Sequence, residues 1–494
     1  MKKVILVITL ILISLRLFCQ NSFEISYATE EDEYFNDGIV DKQGNIVLTG
    51  HIGDYTLTNH DGIIMKIYPD GSYIVRRIER QDTIGGFSSI TLLDNGNYLV
   101  TGSMSLTGVT YSNDHLSVTI FDTALQIISE KAYLINSQYT MLGVNAQTVI
   151  DNNGDIVVAA IFGRDESGIL QGDFGFFKLT QEGDTLLSRC YQTMYEAVPY
   201  TLRKIPNSDN LMLISDGLIP FTSGELVFLD KDLNILSYNR LFTMGDGSFC
   251  SDLWLNDQEF LMAEDRVDPT GPRNEYYFGV HRLDTSAQYY NEIVLDKPDT
   301  IEYMSIVKSM SYSDDTTIYI SGYQSYNMLW TTIPSKVFLY IIDKDLNLRG
   351  HLDLGGDANY ESWGTLATPD HGCLIYGTKY DNTTGWIERD IHIWKVLRED
   401  VFLYTSVEQI PEREPGVYPN PVGDVLNIAL DGRYTGQTVR FRIYNTRGDK
   451  YLDRQMYLDG NLIRTQTGNL PSGAYLYELV DENGEKFSGK FIKE

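Results

Sequence analysis

The chain has 494 residues, 39 basic and 68 acidic side chains, a formal net charge of −29 and a hydrophobic share of 43%. Such an acidic chain repels phosphate backbones, which excludes nucleic acid as a partner. Four cysteines spread over this length exclude a disulfide-built scaffold.

Residues 1–19 open Met-Lys-Lys and continue into an apolar run over 4–15. That run is too short to span a bilayer and reads as a secretory signal peptide, with cleavage before Gln20. A lipidated Cys19 is the alternative, but Leu17-Phe18 ahead of it lacks the small residues such a site prefers. No other stretch approaches 18 apolar residues, so the mature chain is expected to have no transmembrane segment. Residues 23–28 then read as a strand that belongs to no unit of its own.

From Asn45 onward a turn-and-strand pattern recurs. Strand starts fall at Asn45, Asn97, Asp155, Asn210, Glu259, Thr317 and Cys373, and a second anchor follows each one. Examples of that anchor are Lys66-Ile-Tyr-Pro-Asp-Gly, Val227-Phe-Leu-Asp-Lys-Asp and Tyr340-Ile-Ile-Asp-Lys-Asp. Self-similarity at this period, built from short strands, predicts a β-propeller. In the first unit the four strands are expected at 38–41, 45–49, 62–68 and 72–78. A four-stranded sheet with two apolar faces cannot bury both alone, whereas radial stacking buries them. Residues 20–407 are therefore expected to form a seven-bladed β-propeller with four-stranded blades.

The seventh unit offers three clear strands, near 362–367, 373–376 and 391–397. The stretch 23–28 is expected to complete it, pinning the ring shut and covering an edge. The competing candidate is 401–405.

Residues 408–416 carry two prolines and no periodicity, and read as an exposed linker. Residues 417–494 hold ten residues of each charge, and residues 1–19 hold three basic ones. That leaves 26 basic against 58 acidic side chains over 20–416, a net of −32. The plain meaning is solubility outside the cell.

Short strands at 425–430, 438–444, 475–480 and 486–492, separated by Gly-containing turns, predict a small immunoglobulin-like β-sandwich. Within it Tyr418-Pro419-Asn420-Pro421, the turn at Gly448, the Pro-Ser-Gly473-Ala-Tyr475 block and Lys490 near the terminus occur in order. This set resembles the type A C-terminal sorting domain of the type IX secretion system of Bacteroidetes. The resemblance covers residues 417–494 only. It implies export across the inner membrane, then outer-membrane passage through the type IX machinery. It further implies removal of the domain by a sortase-like protease and attachment at the cell surface or release. The body also resembles propeller cargo of that system, a similarity of architecture alone.

Motifs for chemistry are sparse. Asp230-Lys-Asp-Leu-Asn234 and Asp343-Lys-Asp-Leu-Asn347 suggest a calcium loop, but Ile235 and Leu348 stand where an EF-hand needs glycine, and Leu241 and Leu354 where it needs glutamate. They are read instead as turns in which Asp and Asn bond nearby backbone. The seven histidines show no zinc spacing, and no phosphate loop, nucleophile elbow or sialidase-type Asp box occurs. No cofactor is expected. The scattered Cys190, Cys250 and Cys373 read as small buried residues.

Short turns join strands one to two and three to four, on one face. Longer connections lie on the other, and such loops tend to carry function. Arg164-Asp165-Glu166, Glu264-Asp265-Arg266, Tyr323, Tyr326, Trp330 and Trp386 are assigned to that loop face. Of these, Tyr323, Tyr326, Trp330 and Trp386 are the candidate ligand-binding residues, since aromatic rings stack on sugars or anchor protein partners. The plainer alternative is that they pack on neighbouring blades. The expected function is glycan binding, adhesion or protein interaction at the cell surface. The alternative is a propeller glycoside hydrolase or lyase, which needs two carboxyl groups about 5–5.5 Å or about 6.5–9.5 Å apart.

Overall fold

The computed structural model describes residues 22–54, 60–80, 84–105, 114–166, 169–193, 198–216, 224–241, 249–268, 275–295, 302–324, 334–380 and 388–401 of the body. Towards the C-terminus it describes 417–418, 421–429, 437–458, 462–481 and 486–494. The expected signal peptide with its cleavage site and the expected linker lie outside them. The chain divides into two compact units, 1–403 and 404–494.

The recurring turn is a capped hairpin. Asp41 Oδ1 accepts from the backbone N–H groups of Gln43 and Asn45, both at 2.9 Å. Gly44 N–H closes onto the Asp41 carbonyl at 3.0 Å. The same side-chain closure recurs at Asp122, Asp151, Asp230, Asp284 and Asp343. The carboxylates of the two Asp-Lys-Asp-Leu-Asn stretches therefore hold their own turns. The fourth turn position is left-handed: φ is 81° at Gly44, and 61°, 62° and 64° at Leu125, Leu233 and Leu346. A left-handed leucine costs about 1–2 kcal/mol. All three leucines are buried between blades, which returns roughly 1.5–3 kcal/mol each. Burial offsets the strain.

Seven four-stranded antiparallel blades follow, at 32–78, 84–133, 139–191, 198–240, 249–295, 302–355 and 359–396. The fourth strand of the seventh blade is Phe23–Tyr27, paired antiparallel with Arg389–Val396 from Phe23↔Lys395 to Tyr27↔Ile391. The N-terminal strand thus closes the ring. Its competitor is not a strand where described: Val401 ends a short helix, Arg398–Val401. First strands of successive blades pack on one another, the last on the first included.

Alternation puts apolar residues on both faces of each blade. In blade five Phe260 and Met262 join the core shared with blade four, while Leu261 and Ala263 join the core shared with blade six. Seven separate apolar clusters fill the seven interfaces.

The first strands are longer than their sequence pattern suggests. Blade one begins at Asp32, six residues before the expected start, because the strand continues past a bulge between Phe35 and Asp37. Corresponding register shifts interrupt the first strands of blades two, three, four, five and seven. In blade six the place is split between Glu302–Met304 and Met310–Asp314. This explains the glycine that ends several repeat strands. A Cβ on Gly50, Gly102, Gly322 or Gly377 would lie 1.9–2.5 Å from a first-strand carbonyl oxygen.

The C-terminal unit is a two-sheet sandwich. Val417–Tyr418, Val425–Ala429 and Leu462–Gln466 form one sheet. Lys450–Tyr457, Thr438–Asn445, Gly473–Val480 and Lys486–Lys493 form the other. Leu426, Ile428, Phe441, Tyr477 and Phe491 fill the space between them. The motif residues serve this framework. Tyr475 is buried and its hydroxyl donates to the Pro471 carbonyl at 2.8 Å. Gly448 supplies φ 87° in a turn held by Asn445. Gly473 opens the third strand of its sheet, Tyr418 lies in the short first strand, and Pro421 and Lys490 are exposed. Pro419 and Asn420 lie outside the described residues.

Candidate functional site

The two faces of the ring differ. The turn face repeats one capped hairpin. On the loop face the strand two-to-three connections vary, from 167–168 in blade three to 325–335 in blade six. Variable connections on a rigid scaffold are where binding residues accumulate.

Of the aromatic candidates, Tyr323 is described. It is half-buried near the end of strand Thr317–Gln324, lies 5.8 Å from the Tyr303 ring and packs against the core of blades six and seven. It is therefore partly a packing residue. Tyr326, Trp330 and Trp386 lie outside the described residues. The acids assigned to the loop face lie in strands that run toward it. Glu264 and Asp265 are buried within Glu259–Asp268, and Asp165 and Glu166 end Ile156–Glu166. Strands two and three extend further toward this face than the repeat anchors imply. Arg164 pairs with buried Asp173 at 3.0 Å.

Sequence reasoning named Glu264 on this face but missed the rim of buried carboxylates to which it belongs. Each blade contributes at least one near its loop-facing strand ends: Glu33, Asp114, Asp173, Glu225, Glu264, Glu302 and Glu361. Asp173 also takes the Tyr139 hydroxyl at 3.2 Å and the Thr193 N–H at 3.0 Å. Glu264 faces His281 Nε2 at 2.9 Å, and Glu361 accepts from the Tyr380 hydroxyl at 2.8 Å. Buried charge persists only when paired or neutralised.

The rim is richest where blade seven meets blade one. Arg389 Nε donates to Asp32 Oδ1 at 2.8 Å, and the guanidinium lies 4.5 Å from the Tyr34 ring centroid. Tyr34 in turn sits 4.6 Å from Trp363 and 5.0 Å from His51. Burial works against the Arg389 charge, but Asp32 outweighs it and holds the guanidinium protonated. Burial pushes Glu33 up to about 8, with Asp390 and Asp32 adding repulsion and Thr29 opposing. Burial likewise raises Glu361. His51 is pushed well down by burial and by His60 and Arg389. Its Nδ1 lies 2.7 Å from Asn36 Nδ2, so Nδ1 accepts and the neutral ring carries its proton on Nε2. Gly86 makes room for the ring, since a Cβ there would lie 2.0 Å from His51 Cδ2. The junction therefore places two buried carboxyls whose pKa burial raises beside a fixed cation and two aromatic rings. The signal in sequence was Asp32-Glu33-Tyr34-Phe35, just upstream of the first anchor.

Among the described residues no group of three or more His, Cys, Asp or Glu side chains is arranged to hold a metal ion. Cys190 is half-buried and Cys373 buried, both free thiols.

Residues 416–494 match the family model described as the secretion system C-terminal sorting domain. No curated protein matches the chain. Among solved structures, the extracellular domain of a hybrid two-component system from B. thetaiotaomicron is 12% identical, with 96% of this chain and 59% of that one covered and a TM-score of 0.42. This chain thus spans less than two thirds of that relative. The polysaccharide lyase Uly1 is 9% identical over 76% of this chain and 99% of that one, with a TM-score of 0.44. The Trypanosoma rangeli sialidase is 8% identical over 94% and 88%, with a TM-score of 0.40.

Fold and tail together define a secreted β-propeller. Its residues 416–494 are a type IX secretion system sorting domain, which engages that machinery and directs export to the cell surface or extracellular space. Among the described residues no helix is long and apolar enough to cross a membrane.

Proposed function

We propose that this is an exported binding protein whose loop face recognises a glycan, or a protein, at the cell surface. The observation that carries the reading is the contrast between a uniform turn face and a variable loop face rimmed by buried polar groups. Buried carboxyls, a fixed guanidinium and aromatic rings are the groups that bind hydroxyl-rich ligands. Tyr323, Tyr326, Trp330 and Trp386 remain the proposed contact residues. Signal-peptide cleavage, a Bacteroidetes source and removal of the tail by a sortase-like protease belong to the same proposal.

The test is a glycan-array screen of the purified chain, repeated with Trp330→Ala and Trp386→Ala. Selective binding lost in these variants supports a surface lectin. A blank array from folded protein removes the glycan form of the proposal and leaves a protein partner.

The raised Glu33 and Glu361 favour one further reading, a polysaccharide-acting hydrolase or lyase with one of them as general acid. That reading requires chain cleavage of an arrayed polysaccharide, abolished by Glu361→Gln with binding retained. Binding without cleavage leaves the lectin reading alone.

A further inference from the structure

The larger sheet of the C-terminal unit ends at Lys486–Lys493, which pairs with Gly473–Val480 on one side. On its other side, among the described residues, the backbone is met only by Val422. Val422 N–H donates to the Ile492 carbonyl at 2.6 Å, and Glu494 N–H to the Val422 carbonyl at 3.1 Å. Those two bonds fix the alternation. Ile492 and Glu494 turn their backbone groups away from the sheet. Lys486, Ser488 and Lys490 do the same, because the register with Gly473–Val480 runs without a shift. Around Ser488 and Lys490 the outward N–H and C=O groups therefore form an open template for another strand.

The side chains along that edge carry one sign of charge. Lys486, Ser488, Lys490 and Ile492 alternate onto the solvent face, and all four are exposed. Neither lysine is in an ion pair among the described residues. From 486 to 492 this row holds two cations and no acid; Glu494 follows at the end that Val422 covers. Leu476, 49% exposed, lies opposite Lys490, and Ile492, 53% exposed, is two positions on. The nearest acid of the neighbouring strand, Glu478, is held by Arg442 at 2.7 Å. The opposite edge, Lys450–Tyr457, differs. Asp453 there takes Arg440 at 2.8 Å and Lys450 at 2.6 Å, so its charges are already matched.

We infer that the 486–490 edge is where the sorting domain is read, by an extended acidic segment of the export machinery that adds to it as a strand. Strand addition satisfies the outward backbone groups, and carboxylates on the same face lie beside Lys486 and Lys490. A long acidic side chain that reaches Lys490 also covers the apolar surface of Leu476 and Ile492. The inference rests on the match of residues 416–494 to the sorting family. A second copy of the chain is a poor occupant. Antiparallel pairing about Ser488 sets Lys486 of one copy opposite Lys490 of the other, and like charges opposite each other destabilise.

The test follows the full chain in a type IX-secreting host in which the unaltered chain reaches the cell surface or medium. Ser488→Pro removes one outward N–H while sparing the bonds to Gly473–Val480, and Lys490→Glu reverses one charge. Each is expected to hold the chain inside the outer membrane, with thermal unfolding of the purified chain unchanged. Lys490→Arg should export normally. So should Gln455→Pro on the opposite edge, where Leu458 N–H reaches the Gln437 carbonyl at 2.9 Å and alternation turns Gln455 outward. Should Ser488→Pro fail to fold, Lys486→Pro, at the first residue of the strand, replaces it. Export of both edge variants at the unaltered level overturns the inference. Loss in Lys490→Glu alone overturns strand addition, and loss in the proline variant alone overturns the acidic partner. Equal loss in Gln455→Pro overturns the choice of edge. Sedimentation of the unaltered chain as a dimer that Ser488→Pro dissolves would make a second copy the occupant and equally overturn it.

Discussion

Lys308 Nζ lies 2.7 Å from Asp37 Oδ1, joining blade six to blade one past the whole of blade seven. The lysine also donates to the Gly38 carbonyl at 2.9 Å. It reaches that far because residues 305–309 leave the sheet of blade six and run along the first strand of blade seven. There Val307 N–H meets the Trp363 carbonyl at 2.9 Å, and Thr365 N–H the Lys308 carbonyl at 2.8 Å. One strap therefore ties three blades on the inner side of the ring.

Removing one end of the strap leaves the other charge poorly solvated. Lys308→Met is expected to cost about 1–3 kcal/mol. Asp37→Ala should cost more, because Asp37 Oδ2 also takes the Ser89 hydroxyl and the Ile90 N–H. Denaturant unfolding of both singles and the double variant checks this, and simple additivity would show that the pair does not interact.

Ring closure depends on five residues at the N-terminus of the body. Ile25 is buried in the core between blades seven and one. Ile25→Asp places an unpaired carboxylate there and is expected to destabilise by about 3 kcal/mol or more. It also frees the edge of Arg389–Val396, so self-association should rise. Denaturation and light scattering measure both effects.

The repeat glycines separate into two kinds. Gly102→Ala drives a methyl to within 1.9 Å of the Gly86 carbonyl oxygen and is expected to prevent normal packing of blade two. Gly96→Ala meets no atom within 4 Å and pays only for φ 87°, about 1 kcal/mol. Thermal unfolding of the two variants should therefore differ widely.

Glu33 gives the stability a specific pH slope. Its folded pKa of about 8 lies above its ordinary value of 4.5, so the folded chain holds a proton that the unfolded chain has released. Its stabilising contribution is full below about 4.5 and is lost as pH rises through about 8. Asp265, raised by burial to about 8, acts in the same direction. Asp41 and Asp343, held low by their turn hydrogen bonds despite burial, act oppositely and only in acid. Glu33→Gln should flatten the slope between about pH 5 and about pH 8 and stabilise the alkaline end. Urea titrations across that range test it, and an unchanged slope contradicts the assignment.

The repeat made the architecture legible because each blade must solve the same burial problem with the same turn. Asn45, Asn97 and Thr317 mark second strands, and Phe23–Tyr27 stood out as a strand without a unit. The strap at 305–309 was hidden because nothing local distinguishes a first strand that stays in its sheet from one that leaves it. Glu264 and Asp265 were assigned to the loop face without being placed in a strand, because strand ends toward that face lack the turn signals that mark the other.

The most direct test of loop-face recognition is hydrogen exchange on the full chain, with and without a saccharide selected on the array. The account predicts slowed exchange along the strand two-to-three connections and the loop-facing strand ends around Glu33 and Glu361. Protection confined to the turn face, or none with any bound saccharide, would contradict it.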